Sequence, residues 1–200
     1  MPALGITGGV ATGKSTFTAA LLRHLPAELF DADQCSRDLL ANDAGVRETV
    51  RRAFGPEAFD NEGRPDRAWL RQLVFVDPSK RLQLENILHP AIRDRWAALA
   101  RDAERANHWL FVDIPLLFET HAETHLTAIV VVACPTATQR ARLIGKRQLS
   151  ADIADKIIAS QLDLETKTKK ADHLIWNDST DSCLDRQADL LARWLRDHYL

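Results

Sequence analysis

The hydrophobic positions of this chain form continuous apolar runs and helix-spaced patterns, in an order typical of an α/β protein. Residues 4–7 are a short apolar run that leads into a glycine-rich turn. Residues 15–25 follow with helical spacing of apolar side chains such as Phe17 and Leu21. Residues 29–30 predict a second brief strand. Strand, glycine turn and helix in this order indicate the start of an α/β domain.

Helical patterns dominate from residue 34 to residue 106, where strand signals disappear. The dipeptides Asp77-Pro78 and His89-Pro90 predict breaks between successive helices. The predicted helices cover residues 67–76, 79–88 and 92–106. No flexible linker flanks the segment, so we interpret residues 34–106 as a helical insertion within one domain that spans residues 1–200.

Continuous apolar runs return at residues 109–113 and 128–133. Such runs are typical of central parallel strands that are covered on both faces. Further along, we predict helices at residues 136–147, 150–162 and 181–198 and a short strand at residues 174–176. The pattern predicts a doubly wound parallel sheet of five strands with a helical insertion.

Composition excludes several other classes of protein. The chain has 200 residues, 46% of them hydrophobic, and a net charge of −2, which gives no general reason to expect nucleic acid or an anionic membrane as a partner. The three cysteines lie far apart and form no Cys-x-x-Cys motif, so neither a disulfide framework nor a zinc site is indicated. The first residues lack the features of a signal peptide. We expect a cytoplasmic protein that is a monomer or a weak homo-oligomer.

The glycine turn carries the most specific motif of the chain. Residues 8–15 match G-x-x-x-x-G-K-[ST] at every required position. Glycines let successive backbone N–H groups point at phosphate oxygens, and a helix that begins at Lys14 adds the positive end of its dipole. Lys14 can reach the β- and γ-phosphates, and the Ser15 hydroxyl can ligate Mg²⁺. The motif predicts a P-loop NTPase fold with three layers.

Two carboxylates follow the second predicted strand. Asp31 and Asp33 should lie at the carboxyl edge of the sheet, where open α/β folds bind ligands. An extended Asp-Ala-Asp would direct both side chains the same way, so that one could accept a proton from a substrate hydroxyl or hold Mg²⁺. The alternative is that Asp31 or Asp33 caps the helix that starts near Gln34.

Asp113 and a basic helix complete the candidate chemistry. Asp113 ends the strongest predicted strand, where a Mg²⁺ role and a buried structural role are both open. In the helix at residues 136–147, Arg142 and Lys146 share one face and Arg140 and Arg147 share another. Such cations could close over the transferring phosphoryl group, and the alternative is a solvated basic face.

Taken together, these motifs resemble the dephospho-coenzyme A kinase family over residues 4–177. The matching segments are residues 5–16, Phe-Asp-Ala-Asp at 30–33, Ile-Leu-His-Pro at 87–90, Asp-Ile-Pro-Leu-Leu-Phe-Glu at 113–119, Gln161, and Lys-Ala-Asp at 170–172 with Asn177. Several separate motifs in the same order make coincidence a poor explanation.

The resemblance implies transfer of the ATP γ-phosphate to the ribose 3′-hydroxyl of dephospho-CoA, with Mg²⁺. It implies Asp33 as general base and additional candidate metal ligand, Lys14 as phosphate-binding cation and Arg142 as an arginine of a lid over residues 136–162. The helical insertion would bind dephospho-CoA. The implied ATP-binding residues are Ala11, Thr12, Gly13, Lys14, Ser15, Thr16, Arg140 and Asn177, and the implied substrate-side residues are Asp31, His89 and Leu116.

The sequence departs from the family pattern at two positions. Ala11 and Thr12 stand where the family usually has Gly-Ser, and a positive φ at Ala11 would cost on the order of 1 kcal/mol. Lys146 stands where a second lid arginine is common, so that it keeps the charge but loses bidentate geometry. His89, before a proline at a predicted helix break, is interpreted as a structural residue on the substrate side.

Two other functions are compatible with a phosphate loop. A kinase of another small metabolite would share the phosphate loop, but residues 87–90 and 113–119 argue against it. A GTP-dependent switch would call for Asn-Lys-x-Asp and for Asp-x-x-Gly after the strand at 109–113, and the sequence has neither.

Overall fold

The computed structural model describes residues 3–106 and 108–199. Residues 1 and 2, which belong to the segment without signal-peptide features, lie outside the described residues. The chain divides into two compact units: one comprises the residues up to Phe30 and from Leu99 onward, and the other is Asp31–Ala98. Each unit has a hydrophobic cluster of its own.

A five-stranded sheet organises the first unit. Its strands are β1 (Ala3–Gly8), β2 (Ala27–Asp31), β3 (Trp109–Asp113), β4 (Ala128–Ala133) and β5 (His173–Trp176), in the order β2-β3-β1-β4-β5. Parallel pairing places Ile6 beside Asp113, and Ala133 beside Trp176. The carboxyl ends of β1, β3, β4 and β5 therefore meet at one edge, which is where parallel α/β sheets bind ligands.

Helices follow the strands of the sheet unit. They are α1 (Lys14–His24), α6 (Thr136–Arg147), α7 (Ala151–Ala159), α8 (Leu164–Lys169) and α9 (Asp181–Tyr199). Phe17 and Leu21 of α1 and Leu184 of α9 pack with the apolar side chains of β1 and β4 in one buried cluster. This packing holds the start of α1 at the end of β1.

Helices build most of the second unit. They are α2 (Ala32–Asn42), α3 (Ala44–Phe54), α4 (Arg67–Val76) and α5 (Pro78–Arg105), whose residues from Leu99 onward belong to the first unit. Their apolar faces enclose a cluster that includes Val50, Phe54 and Leu70. One isolated antiparallel bridge, between Phe59 and Pro65, joins the two sides of the loop between α3 and α4.

The α/β class and the five-stranded parallel sheet are confirmed, whereas three predicted helices were wrong in extent. α5 continues through Pro90, so the helices predicted at residues 79–88 and 92–106 are one helix that His89-Pro90 does not break. α7 ends at Ala159, and α8 was not predicted.

Among the described helices, none combines the length and the apolar composition that crossing a membrane requires.

Candidate active site

The phosphate-loop motif forms the connection between β1 and α1. Gly13 precedes the helix with a φ of 93°, in the left-handed region that glycine tolerates, and no side chain caps α1. The first N–H groups of a helix have no intrahelical acceptor. Because these groups carry the positive end of the helix dipole, the turn before Lys14 has the geometry of an anion site.

Side-chain donors hold the carbonyl groups of this loop. Arg142 Nη1 donates to the carbonyls of Ala11 and Thr12, at 3.2 and 3.1 Å. The other donors are Thr12 Oγ1 to Gly9 at 2.9 Å, Gln139 Nε2 to Val10 at 2.7 Å and Asn177 Nδ2 to Thr12 at 2.7 Å. Because these carbonyl oxygens are bound to protein donors, they are kept from facing an anion, which would repel them.

Lys14 forms an ion pair with Asp113, the last residue of β3. The register that places Asp113 beside Ile6 brings this carboxylate to the edge from which the phosphate loop leaves β1. Both side chains are largely buried, with 15% and 12% exposure. The sequence left a Mg²⁺ role and a structural role open for Asp113. The structure shows the structural role, because the carboxylate pairs with the loop lysine.

The basic helix of the prediction is α6, and its arginines have different surroundings. Arg142 is half-buried, and its Nη2 also donates to the carbonyl of Asn177 at 3.1 Å. Asn177 itself is buried directly after β5. Arg140 pairs with Asp155 of α7 at 2.9 Å. The structure thus brings Arg142 and Asn177 to the phosphate loop, and the contact of Arg140 with ATP stays a prediction.

The segment after β3 is anchored by a buried charge. Lys167 of α8 has no exposed side-chain surface and pairs with Glu119 at 2.8 Å. Its ammonium group also lies 3.4 Å from the carbonyl of Pro115, which accepts a second hydrogen bond from Thr7 Oγ1 at 3.2 Å. Leu116 lies half-buried in this segment, and its substrate contact stays a prediction.

Asp31 and Asp33 belong to the start of α2, and they differ in role. Asp31 is the helix cap, because its carboxylate accepts a hydrogen bond from the Gln34 N–H at 2.8 Å. Asp33 is exposed in the first turn of α2. The expectation of an extended Asp-Ala-Asp with parallel side chains was wrong, because the helix begins at Ala32. The role of Asp33 as general base stays a prediction.

His89 lies inside α5 rather than at a turn. Partial burial lowers the pKa of its imidazole, Arg93 lowers it further, and Glu85 acts in the opposite direction. These neighbours are four residues away on either side, which places all three on one face of the helix. Contact between His89 and a substrate stays a prediction.

Sequence reasoning missed Gln139 and gave no role to Lys167. Gln139 is 3% exposed and shares the buried face of α6 with Leu143, four residues later. That spacing is a signal which the basic residues around it obscured. Lys167 offered no comparable signal, since a lysine in a polar helix is usually solvated.

Comparison with known proteins identifies the family. The dephospho-CoA kinase family, CoaE, matches residues 3–182, which is most of the chain. The chain belongs to this family. A dephospho-CoA kinase of Anaeromyxobacter dehalogenans is 40% identical over 197 residues, covering 98% of this chain and 93% of the relative.

Solved structures agree with the family assignment. The dephospho-CoA kinase from Campylobacter jejuni superposes with a TM-score of 0.75 at 28% identity, covering 99% of this chain and 98% of that one. Shikimate kinase from Acinetobacter baumannii superposes with a TM-score of 0.56 at 13% identity, covering 100% and 96% of the two chains. This second likeness is to the fold alone, which the dephospho-CoA kinase family shares with other small-molecule kinases.

Proposed function

We propose that this chain transfers the γ-phosphate of ATP to the ribose 3′-hydroxyl of dephospho-CoA, which gives coenzyme A and ADP. The observation that carries the proposal is the phosphate loop, whose carbonyls are bound by Arg142, Asn177 and Gln139 while Lys14 stands beside it. The acceptor follows from family membership and from the activity for which the relatives are named.

Binding of the triphosphate is assigned to the loop and to the start of α1. The N–H groups at residues 13–16 and the Lys14 ammonium group stabilise charge on the β- and γ-phosphates, and they do so more strongly as charge develops in the transition state. When Lys14 turns to the phosphates, one oxygen of the Asp113 carboxylate exchanges this ion pair for a contact with a cation. Ala11, Thr12 and Arg142 complete the walls of the site.

Asp33 is proposed as the general base. Its carboxylate accepts the proton of the 3′-hydroxyl as the oxygen attacks the γ-phosphorus, and ADP leaves on the opposite side. The exposed position of Asp33 in the first turn of α2 leaves this carboxylate open to a substrate. Asp31 would hold α2 in place through its cap and lie on the substrate side.

Mg²⁺ is the metal that the reaction implies, and the oxygen donors near the loop suit it. Among the described residues no group of three or more His, Cys, Asp or Glu side chains could hold a metal alone. Mg²⁺ in kinases takes one or two protein oxygens and completes its shell with phosphates and water. The Ser15 hydroxyl and the Asp113 carboxylate would hold it, with Asp33 as a further candidate, and the ion would neutralise charge on the phosphates.

The helical segment at residues 34–106 is proposed to bind dephospho-CoA, with His89 among its substrate-side residues. The lid is proposed over residues 136–162, which contain α6 and α7. Leu116, in the segment after β3, would lie beside the acceptor.

A substrate panel tests the proposal. ADP release is followed in a coupled assay with dephospho-CoA, AMP, shikimate or gluconate as acceptor, and the product is identified by mass spectrometry and ³¹P NMR. We expect turnover with dephospho-CoA and a product that carries the new phosphate on the 3′-oxygen. A preference for any other acceptor in the panel would reject the assignment.

A further inference from the structure

Two glutamine side chains bind the main chain of Val10 in the phosphate loop from two different segments. The Val10 N–H donates to Gln161 Oε1 at 2.8 Å, and the Val10 carbonyl accepts from Gln139 Nε2 at 2.7 Å. Gln139 belongs to α6, and Gln161 lies between α7 and α8. The orientations of both peptide planes that flank Val10 are therefore set by side chains from outside the loop.

The residue that follows Val10 has an unfavourable backbone conformation. Ala11 has a φ of 58°, in the left-handed region where a Cβ atom costs on the order of 1 kcal/mol. Without outside contacts, this residue would favour a right-handed or extended conformation, which would turn the following peptide groups. The contacts at Val10 and the hydrogen bond from Arg142 to the Ala11 carbonyl oppose that change.

Gln161 is itself held in place by the buried ion pair. The N–H of the next residue, Leu162, donates to Glu119 Oε1 at 3.0 Å. The same oxygen forms the ion pair with Lys167, whose side chain has no exposed surface. Since a buried lysine needs its carboxylate, the ion pair anchors Glu119, and Glu119 in turn anchors the backbone at Leu162, next to Gln161.

We infer that Gln161 is a positioning residue for ATP: by accepting the Val10 N–H, it keeps Ala11 in the left-handed conformation that the phosphate loop requires. The inference deepens the proposed function and rests on its nucleotide site. It makes no use of the acceptor, so it can fail or hold independently of the acceptor's identity.

A double-mutant cycle between Gln161 and Ala11 tests the coupling. Gln161→Met keeps the length of the side chain and removes the acceptor, and Ala11→Gly removes the strain. Equilibrium titration with Mg-ATP, without any acceptor, gives the dissociation constant of each variant. We expect Gln161→Met to raise it about 5- to 10-fold, the effect of one lost hydrogen bond.

Ala11→Gly should restore binding in the Gln161→Met background, to within about twofold of Ala11→Gly alone, because glycine adopts the left-handed conformation without strain. A residue with a merely structural role would not be rescued in this way. In steady-state assays, Gln161→Met should raise the KM for ATP while kcat changes by less than about twofold. Gln161→Ala is measured in parallel, so that a folding defect in one variant does not decide the outcome.

Gln187 provides a matched control. Its Oε1 accepts from the Trp176 N–H and its Nε2 donates to the Trp176 carbonyl, both at 3.0 Å, so it also binds the main chain of one residue. Gln187→Met should lower the melting temperature and leave ATP binding unchanged. Unchanged ATP binding in both Gln161 variants, or a loss that Ala11→Gly does not restore, would overturn the inference.

Discussion

Lys14 and Asp113 illustrate, at the scale of single residues, what a motif specifies and what it omits. The spacing from Gly8 to Ser15 predicted the loop, the start of α1 at Lys14 and the cation beside it. It contained no information on the partner of Lys14, which comes from β3 and depends on strand register. The contacts of Gln139 and Gln161 with Val10 could not be predicted for the same reason, because they join residues far apart in the chain.

Local competition for a helix cap explains the failed expectation at residues 31–33. The sequence allowed either carboxylate to cap α2. Asp31 does so, which places Asp33 inside the first turn and ends the extended conformation two residues earlier than expected. Short polar side chains before a helix are the positions where a strand pattern is least dependable.

Replacement of Lys14 by alanine should remove most of the turnover. The ammonium group is assigned to the transferring phosphoryl group, and the loss of one such charge typically lowers kcat by about 10²- to 10³-fold. The variant also leaves Asp113 without this partner, so its folding is checked by circular dichroism. Lys169→Ala, at an exposed lysine, serves as the control. Turnover of Lys14→Ala within tenfold of wild type would show that the lysine serves structure alone.

At the scale of secondary-structure elements, tertiary packing explains where the helix bounds predicted from local pattern were wrong. Pro90 lacks an N–H and usually ends a helix, yet α5 runs through it. Leu88 is buried two residues before Pro90, in the core of the helical unit, so packing on that face holds the helix together. The strands were predicted well because continuous apolar runs have few alternatives in an α/β fold. α8 was missed because it has six residues and a polar composition.

The ion pair between Lys167 and Glu119 should contribute more to the free energy of unfolding than the exposed ion pair of the same helix. Lys167→Met removes the ammonium group that Glu119, with 23% side-chain exposure, and the Pro115 carbonyl share, and we expect a loss of about 1 to 3 kcal/mol. Lys169→Met, two residues away on the same helix, breaks a pair whose side chains are 72% and 78% exposed. Exposed pairs contribute about 0 to 1 kcal/mol.

Urea unfolding of both variants, followed by circular dichroism, measures the contrast. Equal free energies of unfolding for Lys167→Met and Lys169→Met would mean that the buried pair contributes no more than a solvated one.

At the scale of the whole molecule, the sequence predicted the fold class and the presence of a helical segment, and the structure adds that the chain forms two compact units. Hydrophobic patterns identify where a core forms, since they report burial directly. They do not report which polar groups contact one another, and the active site is built from such contacts. The substrate-binding role of the helical segment, the oligomeric state and the cytoplasmic location stay predictions.

The stability of the chain should fall as the pH drops below about 6.5. Burial lowers the pKa of both His89 and His173 in the folded state, while the unfolded chain keeps values near 6.5. The unfolded state therefore binds more protons as the pH falls through that value, which favours unfolding. The pKa of carboxyl groups such as Asp43 and Asp60 is lowered in the folded state from a value of 3.8 in the unfolded chain. These groups therefore change the stability only at a pH well below the one at which the histidines titrate.

Free energies of unfolding at pH 7.5 and 5.5 measure this dependence. The difference between the two pH values should shrink in the variant with both His89→Gln and His173→Gln and persist in His108→Gln. An unaltered difference in the double variant would assign the effect to other groups.

The general base is the part of the proposed reaction that one substitution tests most directly. Asp33→Asn keeps the size of the side chain and removes its capacity to accept a proton, while the phosphate loop is untouched. Single-turnover phosphorylation of dephospho-CoA, with the affinity for Mg-ATP measured on the same sample, separates catalysis from binding. We predict unchanged ATP affinity and a rate about 10²- to 10⁴-fold lower than wild type. A rate within a few-fold of wild type would contradict the account.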